Sequence, residues 1–398
     1  MIRVAIVSHN LEVRGGCRTS TGIVLDAFRR SGRYEADVVS LATASNDAHS
    51  VRLRVPSSWI RGIRVGRLHQ QGLDTLHVGC RFAEIEACRY APRKELRRAL
   101  ASYAGAFVVC GAAPWGWPVL DAVRPVVLWP ATGFLADRTT RLRQERGLRR
   151  LVLRTMTPFG LRYERRALAA ADRVLALSPY TARFLEGRVD PSRLSLALAG
   201  VDTDRFRPRE YREDGPLLCV GRLSDPRKNV GLLLDAYAGV VARLGDRAPR
   251  LALAGGAPDG SVLTRAQALG VRSRIDVHVD PDDARLESLY AGASLFVMSS
   301  DEEGLGIVLL EALASGVPLV STRCGGPESV VLEGTTGRLV PAGDPDALAD
   351  AIVGLLSDVP ARHRMARAAR EDAVARFSLE VAGARLTRAM DEALAGYR

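Results

Sequence analysis

Short apolar runs of strand length alternate with stretches of helical period from one end of the chain to the other, the pattern of parallel sheets with helical crossovers. In the first half these runs predict strands near Arg3–Val7, Ala36–Leu41, Ala106–Cys110, Pro125–Trp129, Arg173–Leu177 and Leu194–Ala199. The pattern then restarts, with strands near Leu217–Val220, Arg250–Ala254, Ile275–Val279, Ser294–Met298 and Pro318–Ser321, each followed by a helix-like segment. Gly200–Pro208 and the polar stretch to Pro216, rich in charge, Gly and Pro, read as a connector. Ser378 offers an N-cap to a final helical pattern running towards Leu394. The expected fold is therefore α/β: two tandem Rossmann-like domains, 1–205 and 206–376, followed by a C-terminal helix, 377–398.

Composition narrows this picture. A chain of 398 residues, 47% hydrophobic and 25% charged, is long enough for two full cores and excludes a disordered or disulfide-scaffold protein. No apolar run reaches the length of a membrane span, and the first residues are too short a run for a secretory signal, so a cytoplasmic location is expected. The six cysteines are scattered without a Cys-x-x-Cys pair, as reduced thiols would be. His69, His77, Cys80 and Cys88 could together supply four zinc ligands, but their spacing matches no familiar module and buried thiols are the favoured reading.

The charge is uneven. Residues 1–200 carry 32 basic against 16 acidic side chains, and residues 201–398 carry 24 against 29. This asymmetry favours an anionic partner for the first half. Nine arginines lie between residues 141 and 166, against Glu145 and Glu164. Such a face could meet anionic lipid in a weak peripheral contact, although a solvated arginine-rich surface is the simpler reading. No nucleic-acid motif accompanies the charge, so a nucleic-acid partner is not expected.

Two segments carry candidate chemistry. Glu303-Gly304-Leu305-Gly306-Ile307 follows a predicted strand and opens a helix, which places backbone N–H groups and a helix N-terminus at the carboxyl edge of a sheet, where anions bind. Glu311 then falls in a helix that is apolar on nearly every side, where a carboxylate is costly unless hydroxyls, such as those of a ribose or sugar, donate to it. Gly221-Arg222-Leu223, with Lys228-Asn229 after it, also follows a strand. Arg222 and Lys228 could neutralise a departing diphosphate. Lys228 is one of only two lysines in the chain, the other being Lys94, which suggests a position that wants a compact ammonium.

Together these segments resemble the retaining glycosyltransferases of family 4, which have the GT-B fold of two Rossmann-like domains facing across a cleft, with a C-terminal helix crossing back to the first. The resemblance rests on Glu303-x7-Glu311 with Gly304-Leu305-Gly306, on Gly221-Arg222-Leu223 and Lys228-Asn229, on Val174–Ser178, on Gly200-Val201-Asp202 with Phe206 and Pro208, and on Gly325–Glu328, Gly337–Val340 and Phe377-Ser378. It implies transfer of a sugar from a nucleotide diphosphate donor, with UDP expected as the nucleotide, to a hydroxyl- or amine-bearing small molecule, glycan or lipid-linked acceptor. No metal or other cofactor is implied, and Asp202-Thr203-Asp204, which looks like a metal-binding Asp-x-Asp, falls in the connector and is discounted. The implied catalytic residues are Arg222, Lys228 and Glu303. The implied donor-binding residues are these three with Gly16, Gly304, Leu305, Gly306, Ile307 and Glu311, and the acceptor loops bring in Arg14, Gly15, Trp129 and Thr132. One departure stands out: many members carry a histidine at the end of the Pro125–Trp129 strand, where this chain has Trp129-Pro130-Ala131-Thr132-Gly133, and His9 is at most a substitute. The competing readings are a non-catalytic nucleotide-sugar-binding partner of another transferase and a sugar phosphorylase of the same fold.

Overall fold

In the computed structural model the chain folds as two compact units, Met1–Ala199 joined by Ala382–Arg398, and Gly200–Val381. The structure describes residues 1–13, 15–209 and 211–397, without the side chains of residues 137, 140, 141, 143 and 144. Arg14, expected at the acceptor loop, and the side chains of Arg141 and Arg143 thus lie outside the described residues.

The first unit holds eight strands: β1 (Ile2–His9), β2 (Tyr34–Leu41), β3 (Val65–Gln70), β4 (Leu73–Val78), β5 (Ala106–Cys110), β6 (Val126–Pro130), β7 (Arg173–Ala176) and β8 (Leu194–Leu196). They form one sheet in the order β3-β4-β2-β1-β5-β6-β7-β8. Its central strands are continuous apolar runs, with Val4–Val7 and all of β5 and β6 buried, because helices cover both faces of a parallel sheet. Six of the strands lie where the apolar runs predict them. The β3–β4 hairpin does not, because β3 lies at the sheet edge, paired only with β4 and antiparallel to it, and its residues Val65–Gln70 alternate exposed and half-buried, with no fully buried side chain. Gln71 and Gly72 turn the hairpin with positive φ angles of 48° and 79°, as a two-residue turn of the primed type requires.

The second unit holds β9 (Leu217–Arg222), β10 (Leu251–Gly256), β11 (Ile275–Val279), β12 (Leu295–Met298), β13 (Leu319–Arg323) and β14 (Gly337–Pro341). These pair in parallel in the order β11-β10-β9-β12-β13-β14. After β9 the chain fills one side of the sheet with β10 and β11, then crosses to the other with β12. The strand order therefore reverses between β9 and β12, the position at which open α/β sheets bind ligands beyond their carboxyl ends.

The change of unit falls at Ala199–Gly200, earlier than the Arg205 boundary read from sequence. The Val201 amide donates to the Phe377 carbonyl at 2.7 Å and Val201 bridges to Ser378, which ties the start of the connector to the second unit. Ser378 Oγ accepts from the Val381 amide at 3.3 Å and starts the last helix, Leu379–Ala395. From Ala382 onwards this helix belongs to the first unit. Asp391 takes hydrogen bonds from Arg33 at 2.5 Å and from the Tyr34 hydroxyl, and Met390 is fully buried. Met390→Ala should therefore lower the stability of the first unit by about 2–5 kcal/mol, read from urea unfolding curves, whereas an unchanged midpoint would show that the helix contributes no core packing.

Candidate functional site

The end of β9 carries Gly221-Arg222 to the sheet edge, and the chain then makes one tight turn, Pro226–Lys228. Asp225 caps that turn by accepting from the Arg227 amide at 3.1 Å. The same carboxylate pairs with Arg222 at 2.7 Å and Arg227 at 2.9 Å. Burial pushes the Asp225 carboxyl up, but the Arg227 hydrogen bond and the two guanidinium charges outweigh it and hold the group at about 2. Asn229 follows with φ 44°, accepts from the Leu232 amide at 3.2 Å to start the helix Val230–Leu244, and donates to Asp301 at 2.8 Å. Just beyond the neighbouring strand β12, Ser299 Oγ donates to the Lys228 carbonyl at 3.0 Å.

These contacts bring Lys228 Nζ onto Glu303 Oε1, which also accepts from Ser300 Oγ at 3.1 Å. The two side chains are 18% and 14% exposed, so the pair is largely shielded yet open at one side. The Lys228 stem runs beside Gly221, where an added Cβ would lie 3.5 Å from Lys228 Cε. The fold thus joins two of the sequence-predicted residues directly, and it engages the third, Arg222, on Asp225, with 44% of its side chain exposed at the edge.

The Gly304–Gly306 turn is fixed by backbone contacts. Glu303 N–H donates to Cys324 O at 3.0 Å, and Gly326 N–H donates to Glu303 O at 2.7 Å. A Cβ at Gly326 would lie 2.3 Å from Leu305 Cα, so only glycine allows this approach. Gly306 has φ 87° and caps the helix Ile307–Ala314 without a side-chain hydrogen bond; the Leu309 amide turns back to the Gly306 carbonyl at 2.9 Å, and the Ile307 and Val308 amides are the ones placed for a ligand.

One turn into that helix, Glu311 Oε2 accepts from the Tyr290 hydroxyl at 2.6 Å. Its helix neighbours Leu309, Leu310, Ala312 and Leu313 are all buried. Desolvation raises the Glu311 carboxyl to about 7, against the smaller opposing effects of the Tyr290 hydrogen bond and the Arg205 charge. Tyr290 is itself wedged between Phe206 at 5.5 Å and Phe296 at 5.8 Å. Sequence reasoning missed Tyr290, which lies 21 residues upstream with no local signal. It missed Asp225 as well, although Asp-Pro before a turn is a readable cap.

Asp202, discounted above as a metal ligand, caps its own turn by accepting from the amides of Asp204 and Arg205 at 3.0 and 2.9 Å.

In the first unit the structure places Gly15 and Gly16 at the start of the helix Gly16–Ser31, directly after β1, with open space where a Cβ would stand. His9 is pinned: its Nε2 accepts from the Gly111 amide at 3.0 Å and its ring stacks on Trp115 at 4.3 Å. Trp129 corrects the acceptor expectation. Its side chain is 2% exposed, donates from Nε1 to the Ala197 carbonyl at 3.0 Å and packs edge-on against Phe107, so it serves the core and presents no face to an acceptor. Its side chain points inward because β6 is covered on both faces. Thr132 is also buried, with its amide bonded to Gly111 O at 3.0 Å.

Comparison with known proteins agrees with this geometry. The profile of the "Glycosyl transferases group 1" family matches residues 215–358, the segment that holds Arg222, Lys228, Glu303 and Glu311. A D-inositol 3-phosphate glycosyltransferase of Mycobacterium avium is 30% identical over 92% of this chain and 84% of its own length. A GDP-mannose-dependent alpha-(1-6)-phosphatidylinositol monomannoside mannosyltransferase of Mycolicibacterium smegmatis is 35% identical over 65% of this chain and 73% of its own. The D-inositol 3-phosphate glycosyltransferase 2 of Catenulispora acidiphila is 36% identical, and there the match spans only about half of either chain, 51% of each. Among solved structures, sucrose-phosphate synthase from Thermosynechococcus elongatus superposes over the full length of both chains with a TM-score of 0.72 at 20% identity. Two α/β units, the Glu303-x7-Glu311 pair within the matched segment, and a relative 30% identical over 84% of its own length place this chain in the family 4, group 1 glycosyltransferases of GT-B fold.

Proposed function

We propose that the protein transfers a glycosyl group from a nucleoside diphosphate sugar to an acceptor hydroxyl, with retention at the anomeric carbon and without a divalent cation at the donor site. The observation that carries this reading is the convergence at one sheet edge of a lysine–carboxylate pair, an exposed arginine and a desolvated carboxylate. Each matches one part of such a donor. Glu311 would accept from the ribose hydroxyls, Lys228 and Arg222 would meet the diphosphate as it gains charge, and Glu303 with the Gly304–Ile307 backbone would hold the distal phosphate and sugar. In this mechanism the departing diphosphate takes the proton of the acceptor hydroxyl, so positioning and charge stabilisation replace a side-chain nucleophile. The relatives named above are transferases, which favours transfer over phosphorolysis or a non-catalytic role. One of them is named for GDP-mannose, and the Anabaena HepE structure, 16% identical with a TM-score of 0.73, is a complex with UDP-glucose, so GDP stands beside UDP as the nucleotide to test.

A second feature concerns the surface. The arginine-rich helix Gly147–Ala170 exposes Leu148, Leu151, Val152 and Phe159 among its basic residues, an arrangement suited to an anionic membrane surface. Liposome flotation should show binding to vesicles containing anionic lipid that is lost in high salt, and absence of such binding removes this role.

The donor site is tested by a thermal-shift screen of UDP, GDP, ADP and TDP against the wild type and Glu311→Ala. One nucleotide should raise the wild-type melting temperature and leave the variant unmoved, and no shift with any of them would overturn the assignment. Lys228→Met should retain nucleotide binding while kcat falls by roughly 10²-fold or more. Turnover should survive EDTA; a strict loss restored by Mg²⁺ or Mn²⁺ would refute metal independence.

The raised Glu311 carboxyl gives a pH signature. Its folded value of about 7 exceeds the usual 4.5, so the folded state holds the proton more tightly, and stability is lost as pH rises between these values. The loss reaches roughly 3 kcal/mol above pH 7. Glu311→Gln should therefore melt nearer to the wild type at pH 5 than at pH 8, where the variant gains. Ribose hydroxyls favour the ionised carboxylate, so nucleotide affinity of the wild type should rise as pH passes upward through about 7, and calorimetric titration of the two proteins checks this.

A further inference from the structure

The loop that leaves β2 returns past the end of β4 and places three ligating side chains together, far in sequence from the candidate donor site. His77 lies on β4 beside Ser40 of β2, is 5% exposed, and sets its Nε2 3.1 Å from Asp47 Oδ1. His49 brings its Nδ1 to 3.9 Å from the same oxygen. The two imidazoles meet edge to face at 5.1 Å, and one donor atom from each of the three residues lies within 4.8 Å of the others. We propose that Asp47, His49 and His77 form a zinc-binding site in the first unit.

The supporting contacts have the form of a metal centre's outer shell. His77 Nδ1 is 2.8 Å from Ser40 Oγ, which fixes the ring and leaves Nε2 for a ligand. Asp47 Oδ2 accepts from Ser50 Oγ at 2.5 Å, so Oδ1 faces the two histidines. The His49 carbonyl accepts from the Arg64 amide at 2.9 Å. A Cβ at Gly66 would stand 2.6 Å from His49 Nε2, so the ring is seated over a glycine of β3. All three ligands are thus held by the packed β2–β4 edge and its hairpin.

Donor chemistry narrows the ion. Two imidazoles and one carboxylate suit zinc and other first-row transition metals, whereas magnesium and calcium take oxygen donors, and zinc is the one of these whose sites are completed as a tetrahedron by three protein ligands and a water. Zinc bonds of about 2.0 Å in a tetrahedron put neighbouring donors about 3.3 Å apart. The His77–Asp47 separation of 3.1 Å already meets this, His49 lies 3.9 Å from the shared oxygen, and the two imidazole donors, within 4.8 Å of each other, close on the ion with it. Water fills the fourth position, and the ion clamps the loop to the sheet edge. From sequence, His77 was grouped with His69, Cys80 and Cys88, buried thiols were the favoured reading, and no metal was expected. Of those residues, His69 sits exposed on β3 against Asp74 at 2.9 Å, Cys88 lies on the short helix Glu86–Arg89, and the Cys80 thiol lies 3.7 Å from Ser50 Oγ and beside Arg93.

The test uses the full-length, tag-free protein stripped of metal and titrated with Zn²⁺ against a chromophoric chelator. One equivalent should bind, and Zn²⁺ should raise the melting temperature above that in EDTA. His49→Gln and Asp47→Asn should each weaken binding by far more than tenfold, and Ser50→Ala, which touches only the outer shell, by about tenfold. Glu311→Gln should bind zinc as the wild type does, which separates this site from the donor site. Cobalt should give the intense visible absorption of a four-coordinate ion. If the metal-free variants differ from the metal-free wild type by circular dichroism, the wild-type stoichiometry and cobalt spectrum decide. Absence of a saturable equivalent, a six-coordinate cobalt spectrum, or equal affinity in well-folded His49→Gln would overturn the proposal and leave a hydrogen-bonded His–Asp–His cluster.

Discussion

The ion pair between Lys228 and Glu303 joins the loop after β9 to the loop after β12, the two strands between which the sheet order of the second unit reverses. Everything else at that edge is arranged around it. Ser300 supplies a further hydrogen bond to Glu303, Ser299 ties the Lys228 carbonyl to β12, and Asn229 reaches Asp301. A shielded pair of charges stabilises a fold only when its remaining hydrogen-bonding capacity is met, and these neighbours meet part of it. The part left open is what a charged ligand can use.

Beside the pair, the chain handles its other charges differently. Asp225 keeps a strongly ionised carboxylate because two arginines face it, while Glu311 sits among apolar helix neighbours with Tyr290 as its hydrogen-bond donor, and burial pushes its carboxyl up to about 7. Two carboxylates of the same unit are thus separated by about five pH units, one organising cations and the other ready to gain a partner. Small residues make the geometry feasible. Gly326 lets its backbone lie against Leu305, and Gly306 turns the chain into a helix whose first amides face the edge.

In the first unit the corresponding edge is dominated by packing. His9 stacks on Trp115, Trp115 meets Tyr90, and Trp129 bonds to Ala197 inside the sheet layers. Aromatic residues that would suit sugar stacking in a loop are here consumed by the core, and after β1 the glycines at 15 and 16 leave open space where side chains would stand. At the far side of the same sheet, the β2–β4 edge assembles imidazoles and a carboxylate from segments about thirty residues apart.

The sequence by itself determined the α/β architecture, because strands buried on both faces must be continuous apolar runs, and the central strands of both units lie where those runs are. It also placed Lys228 and Glu303 at a sheet edge, where the structure pairs them, since glycine turns between a strand and a helix locate that edge without reference to distant residues. It did not determine β3, whose alternating polar residues at a sheet edge carry no burial signal, or β14, a five-residue strand in which only Gly337 and Val340 are buried. Only the tertiary structure decided that Trp129 is a core residue, because a tryptophan at a strand end reads the same whether it faces a layer or a ligand. Tertiary structure alone likewise set Tyr290 on Glu311 and gathered Asp47, His49 and His77, contacts between segments that no local spacing encodes.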